Sequence, residues 1–171
     1  MAVISMRQLL ADDTVGQILI DIDSPGGSVY GVAELADEIQ SARSQKPIVA
    51  VANSLAASAA YWIGCSANEF YVTPGGEVGS IGVWQAHQDY SRALDEAGVK
   101  TTLISAGKFK VEGNPYSPLS TDPHLPMKAS VRESFIAISA HNGKGLAGRS
   151  TACGRGNAVA QQIDSPYRVL T

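Results

Sequence analysis

The chain has 171 residues, 44% of them hydrophobic and 17% charged, which excludes a disordered polypeptide and suits one domain with a real hydrophobic core. The formal net charge is −3, and the 13 basic residues are scattered along the chain, so we expect no nucleic-acid partner. No apolar run reaches the roughly 18 residues of a membrane helix, and the N-terminus lacks a signal-peptide pattern. We therefore expect no membrane segment and a cytoplasmic location.

Apolar residues spaced by three and four predict helices, and short runs of β-branched and aliphatic residues predict strands. In chain order these are helix 2–12, strand 17–23, helix 29–43, strand 47–53, a tight turn with a buried helix in 54–64, strand 69–73, a glycine-rich segment 78–83, helix 92–97 capped by Gly98, strand 99–105, a loop 107–126 and helix 127–140. This alternation predicts an α/β domain with a mainly parallel sheet. We expect one core domain over residues 1–141 and an irregular tail over 142–171.

The first candidate for a functional element is the turn that follows strand 17–23. Ser24-Pro25-Gly26-Gly27 pairs two glycines, which let the backbone pass close to a ligand. Backbone N–H groups freed in such a turn can point at a developing oxyanion. The same sequence is also an ordinary turn, and the local sequence alone favours that interpretation.

Ser58 is the candidate nucleophile, because it follows a buried strand and precedes a helix between small alanines. A serine at a helix start gains from the positive helix end, and the N–H of Ala59 could donate to an oxyanion. The alternative is that Ser58 only caps the helix. Ser54 is the better simple cap if the helix begins earlier.

A serine hydroxyl needs a base to become a nucleophile. None of the three histidines lies at a predicted rigid strand end, and His87, His124 and His141 are expected at the surface. A lysine can replace histidine where burial depresses its pKa. Lys108 and Lys110 follow strand 99–105, and periodicity alone does not select between them.

Three segments together resemble the signal peptide peptidase A family of serine peptidases, within the Clp protease and crotonase-like superfold. They are IDSPGGSVYG at 22–31, VANSLAASAAYWIGCSANEFYVTPGGEVGSIGV at 51–83 and GKFK at 107–110. The family carries a serine between small residues, then an aromatic residue, and its lysine in a later Gly-x-x-Lys tetrad. The resemblance implies that Ser58 is the nucleophile and Lys110 the general base. It also implies that Gly27 and Ala59 supply the oxyanion-hole N–H groups.

The resemblance further implies a fold of repeated β-β-α units around a mainly parallel sheet, with the first strands of complete members lacking here. It implies a serine endopeptidase acting on polypeptides, without a metal or organic cofactor, and a ring-like homo-oligomer. Members remove signal-peptide remnants or, in the more similar phage branch, process capsid and scaffold proteins in the infected host cell.

Several alternatives are weighed against this interpretation. Clp proteases carry a histidine at a position that falls near Val83, where this chain has none. Ser105-Ala106-Gly107-Lys108 matches the S-x-x-K motif of penicillin-binding proteins but lacks the companion S-D-N and K-T-G elements. A crotonase-like acyl-coenzyme A enzyme and a catalytically silent assembly subunit stay open as alternative functions.

Overall fold

The computed structural model describes residues 6–119 and 126–145. Its elements are α1 (Met6–Ala11), β1 (Ile18–Ser24), α2 (Val32–Ala42), β2 (Ile48–Ala57), α3 (Ala59–Cys65), β3 (Glu69–Val72), β4 (Glu77–Gly79), α4 (Ser91–Glu96) and α5 (Pro126–Gly145). The chain divides into two compact units, the first holding Met1–Gly82 and Ile136–Thr171 and the second Val83–Phe135. Among the described helices, none has both the length and the apolar character needed to cross a membrane.

The sheet of the first unit is built around β2, and all its strand pairs are parallel. One edge of β2 pairs with β1 along its length, with Ile18 opposite Ile48. Its other edge pairs first with β3 and then with β4, which lies opposite Leu55 to Ala57. The predicted α/β class with a mainly parallel sheet is confirmed.

The core of the first unit forms where α3 packs against the sheet and α2 packs against α3. The small β2 residues Ala50, Ala52 and Ala56 are fully buried, so helices can approach the strand closely. Tyr61 packs its ring 6.0 Å from that of Phe70, and burial raises the pKa of Tyr61 to about 12. Because this packing fixes α3 against the sheet, it also fixes the turn between β2 and α3.

Helix ends agree with the sequence where local signals decide them. α4 ends at Glu96, and Gly98 adopts φ 71°, as predicted for a glycine cap. The N–H of Val99 donates to the carbonyl oxygen of Leu94 at 2.8 Å, which closes the last turn. α5 continues to Gly145, so the first residues of the predicted irregular tail are helical. Residues 2–5 of the predicted first helix and the tail beyond 145 lie outside the described residues, and the single-domain organisation stays a prediction.

Two strand predictions were wrong in extent or type. β2 continues to Ala57 through residues predicted as a tight turn, because β4 pairs with its last three residues. The predicted strand 99–105 forms no strand, and its Ile104 is 96% exposed. No described strand pairs with this segment, so its β-branched composition alone does not make a strand.

Candidate active site

Ser58 occupies the sharp turn between β2 and α3. Its backbone has φ 55° and ψ −121°, a conformation that non-glycine residues rarely adopt. The turn is held in place because the N–H of Ser58 donates to the carbonyl oxygen of Gly79 at 2.8 Å, and its own carbonyl accepts from the N–H of Trp62 at 3.1 Å. Strain of about 1–3 kcal/mol at one residue persists only where the surroundings impose it, and such residues cluster at functional sites.

Neither serine considered as a helix cap performs that role. The Ser58 side chain makes no capping hydrogen bond to α3 among the described residues, although Ser58 stands at the N-cap position. Ser54 lies inside β2, five residues before the first residue of α3, and its N–H donates to the Thr73 hydroxyl. The Ser58 hydroxyl is therefore not committed to the start of α3.

The glycine turn after β1 lies directly against Ser58. Gly26 has φ 93°, and a Cβ placed on it would lie 2.7 Å from both the Ser58 Cβ and the Ala57 carbonyl oxygen. The contact follows from the sheet, because β1 and β2 are parallel neighbours whose carboxyl ends lie at the same edge, with Ser24 opposite Ala56. Only a residue without a side chain permits this approach.

The two predicted oxyanion donors, Gly27 and Ala59, are the chain neighbours of Gly26 and Ser58. The N–H of Gly26 donates to the Ser24 hydroxyl at 3.2 Å, so within the turn Gly27 is the better candidate donor to a ligand. Ala59 begins α3, where the first N–H groups of a helix have no intrahelical acceptor. The structure thus places Ser58, Gly27 and Ala59 in one unit at one edge of the sheet.

A small apolar pocket of about 310 Å³ adjoins this edge. It is lined on one side by Gly26 and Gly27 and on the other by Ala59 and Ala60, and Ile22, Val32 and Ile63 complete its apolar walls. A side chain next to a carbonyl held by Gly27 and Ala59 would have this pocket within reach.

Lys110 lies in the loop of the second unit. Gly107 adopts φ 107°, and the N–H of Lys110 donates to its carbonyl oxygen at 3.3 Å, so the Gly-x-x-Lys tetrad forms a turn. The Lys110 side chain is exposed. Its neighbour Lys108 places Nζ 5.0 Å from the centre of the Phe109 ring. Since Ser58 belongs to the first unit and Lys110 to the second, the dyad is a proposal and not an observed contact.

The three histidines were considered as alternative bases and were expected at the surface. His87 is half-buried rather than fully at the surface, and its Nε2 lies 2.8 Å from the carbonyl oxygen of Asn114. His124 and the side chain of His141 lie outside the described residues. Within residues 6–119 and 126–145, no group of three or more His, Cys, Asp or Glu side chains is placed to hold a metal ion.

Two family models match the part of the chain that forms this site. The model of peptidase family S49 matches residues 40–137, more than half of the chain and including Ser58 and Lys110. The chain belongs to peptidase family S49. The Clp protease model matches residues 1–78. These matches confirm the resemblance to signal peptide peptidase A and the Clp-like α/β fold.

Relatives of this S49 chain include phage and bacterial proteins. Capsid assembly protease C of Escherichia phage lambda is 39% identical over 142 residues, covering 81% of this chain and 32% of the phage protein. Head-tail preconnector protein GP5 of Enterobacteria phage P21 is 39% identical over 126 residues, covering 74% and 25%. Protease 4 of Salmonella typhi is 33% identical over 101 residues, covering 58% and 16%. The chain therefore spans a third or less of the length of these relatives.

Two contacts of Ser58 in this site were not predicted from the sequence. The close approach of Gly26 to Ser58 could have been found, because the carboxyl ends of adjacent parallel strands meet at one edge. The bond from Ser58 to the carbonyl oxygen of Gly79 depends on how β4 pairs with β2, and no local signal in VGSIGV indicates it.

Substituting the two turn glycines tests the contact with Ser58. Gly26→Ala is expected to lower the free energy of unfolding by about 1–3 kcal/mol, because it adds a Cβ at positive φ against backbone and Ser58. Gly27→Ala is the matched control, since a Cβ there meets no described heavy atom within 4 Å. Urea denaturation of both variants measures the difference, and equal stabilities would contradict the packing described here.

Proposed function

We propose that this chain is the catalytic core of a serine endopeptidase that uses Ser58 as nucleophile and Lys110 as general base. The observation that carries the proposal is the conformation of Ser58 in a chain of peptidase family S49. Its backbone is strained, its side chain makes no capping hydrogen bond to α3, and it lies against Gly26. Among functions open to the sequence, peptide hydrolysis is the one that uses this serine as a nucleophile.

The reaction begins when neutral Lys110 Nζ accepts the proton of Ser58 Oγ and the oxygen attacks the carbonyl carbon of the scissile peptide. The resulting oxyanion accepts hydrogen bonds from the N–H groups of Gly27 and Ala59, each donor contributing about 3 kcal/mol. Lys110 then gives the proton to the leaving amine, which leaves an acyl ester on Ser58. Water gives a proton to Lys110 and attacks the ester, the ester C–O bond breaks, and the departing Ser58 oxygen takes the proton back from Lys110 as the acid product is released. Every proton transfer in this scheme is carried by Ser58, Lys110 or water.

The pocket beside the glycine turn supports a preference at the substrate residue that donates the scissile carbonyl. Its volume of about 310 Å³ and its lining by Ile22, Val32 and Ile63 suit a compact apolar side chain. A charged side chain would lose hydration there without a charged partner among the lining residues.

A lysine acts as a base only when it is shielded enough from water to lose its proton near the working pH. Lys110 is exposed in the single chain. The proposal therefore requires that bound substrate or a neighbouring copy in a homo-oligomer shields the Lys110 side chain from water.

For the substrate, we propose a polypeptide of the capsid-processing class, acted on in the cytoplasm of an infected host cell. Support comes from the two phage relatives, whose names refer to capsid assembly and to the head-tail preconnector and which are each 39% identical. Protease 4 of Salmonella typhi is 33% identical over fewer residues, so it gives weaker support to signal-peptide remnants as the substrate.

Labelling with a fluorophosphonate probe tests the proposed nucleophile in the 171-residue chain. We expect one phosphonylated residue, located at Ser58 by mass spectrometry, because such probes react with activated serines. A silent assembly subunit would not react. Absence of labelling together with a thermal shift on adding an acyl-coenzyme A would favour the crotonase-like alternative instead.

A further inference from the structure

The strand that leads to the proposed nucleophile contains a bulge that the reaction scheme does not explain. On one side of β2, Ala52 pairs with Ile22 and Ala56 pairs with Ser24, so three β2 residues lie opposite one residue of β1. On the other side of β2, pairing with β3 ends at Ala52 and pairing with β4 begins three residues later. Bulges beside active sites commonly redirect the side chains that follow them. The shape of this bulge therefore sets how the end of β2 reaches the site.

The hydroxyl of Thr73 bridges the bulge. It accepts a hydrogen bond from the N–H of Ser54 at 3.2 Å and donates one to the carbonyl oxygen of Ala52 at 3.2 Å. The N–H of Thr73 donates to the same carbonyl oxygen at 3.1 Å. Ser54 has φ 93°, a conformation that a non-glycine residue keeps only where its surroundings impose it. Because one hydroxyl binds two backbone groups of the bulge, it holds the bulge in this shape.

Thr73 also begins the turn into β4, the strand that binds the Ser58 backbone. Its carbonyl oxygen accepts a hydrogen bond from the N–H of Gly76 at 2.8 Å. A Cβ placed on Gly76 would lie 2.9 Å from the Thr73 hydroxyl oxygen, so the turn packs closely around that hydroxyl. β4 starts at the next residue, and the carbonyl oxygen of its last residue, Gly79, accepts the N–H of Ser58 at 2.8 Å. Thr73 is thus hydrogen bonded both to β2 and to the turn that leads into β4.

We propose that Thr73 is a positioning residue, whose hydroxyl holds the β2 bulge in the shape that places Ser58 against the glycine turn. The inference rests on the proposed function, because it assigns Thr73 a part in turnover by Ser58. That placement tolerates little change, since a Cβ on Gly26 would lie only 2.7 Å from the Ser58 Cβ. A misplacement of about 1 Å can lower a catalytic rate about 10²-fold. Thr73 acts only through Ser58, so loss of its hydroxyl lowers kcat and leaves KM nearly unchanged.

Removing the hydroxyl while keeping a β-branched side chain tests this role. Thr73→Val is expected to lower kcat for a fluorogenic peptide about 10–100-fold, with KM within about twofold, and to slow fluorophosphonate labelling of Ser58 by a similar factor. Thr73→Ser keeps the hydroxyl and should restore kcat to within about threefold of wild type. Thr14→Val is the matched control, because it removes another threonine hydroxyl that makes a hydrogen bond, to Asp12 Oδ1 at 2.6 Å. It should leave kcat unchanged.

Unchanged kcat in Thr73→Val, or equal losses in Thr73→Val and Thr73→Ser, would overturn the inference. A measurement on the wild type keeps it testable if Thr73→Val does not fold. Ser54 is exposed, and its bond to Thr73 should slow exchange of its amide hydrogen about a hundredfold or more, whereas exchange at the unprotected rate would contradict the bridge. A wild type that neither hydrolyses peptides nor labels at Ser58 contradicts the proposed function. An active wild type with an unaffected Thr73→Val variant contradicts this inference alone.

Discussion

Ser58→Ala is expected to abolish peptide hydrolysis, lowering kcat by the roughly 10⁶-fold typical of removing a serine nucleophile. The fold should persist, because the Ser58 hydroxyl does not cap α3 and the backbone bonds that hold the turn involve only main-chain atoms. Alanine retains the N–H that donates to Gly79 and the carbonyl that accepts from Trp62. Hydrolysis of a fluorogenic peptide library and the thermal unfolding midpoint together separate loss of chemistry from loss of structure.

Ser54→Ala is the matched control for this substitution. Ser54 is an exposed serine four residues earlier, and it also adopts a positive φ, of 93°. The same chemical change at comparable backbone strain should leave hydrolysis within about threefold of wild type, because surface changes away from a site are usually small. If both variants lost activity equally, the effect would come from disturbing β2, and Ser58 would lose its assignment as nucleophile.

The sequence predicted the parts of this site that local patterns determine. The aliphatic run of β1, the Ser-Pro-Gly-Gly turn and the position of Ser58 between strand and helix all follow from composition and spacing over a few residues. The end of β2 was missed, since the alanine-rich stretch before Ser58 becomes strand only by pairing with β4. The same dependence on a partner explains the failure at 99–105, where β-branched residues have no neighbouring strand among the described residues.

Residue patterns do not determine which of the two lysines is the base. Lys108 and Lys110 share one loop, both are exposed, and spacing alone does not distinguish them. The structure adds one difference, because the Lys108 ammonium lies 5.0 Å from the centre of the Phe109 ring. The two lysines are therefore a matched pair for experiment.

Lys110→Met is expected to lower kcat about 10²–10⁴-fold, the usual contribution of a positioned general base, with little effect on stability because the side chain is exposed. Lys110→Arg should not restore activity, since a guanidinium keeps its proton at any working pH.

Lys108→Met removes a lysine two residues away and is expected to keep kcat within about threefold of wild type. The reverse result, with Lys108→Met inactive and Lys110→Met active, would point to the Ser105-x-x-Lys108 motif and would move both nucleophile and base out of the S49 pattern. Equal losses would show that the loop conformation matters more than either amine. Only a selective loss of activity at Lys110 supports the proposal that this exposed lysine is the base for the strained serine.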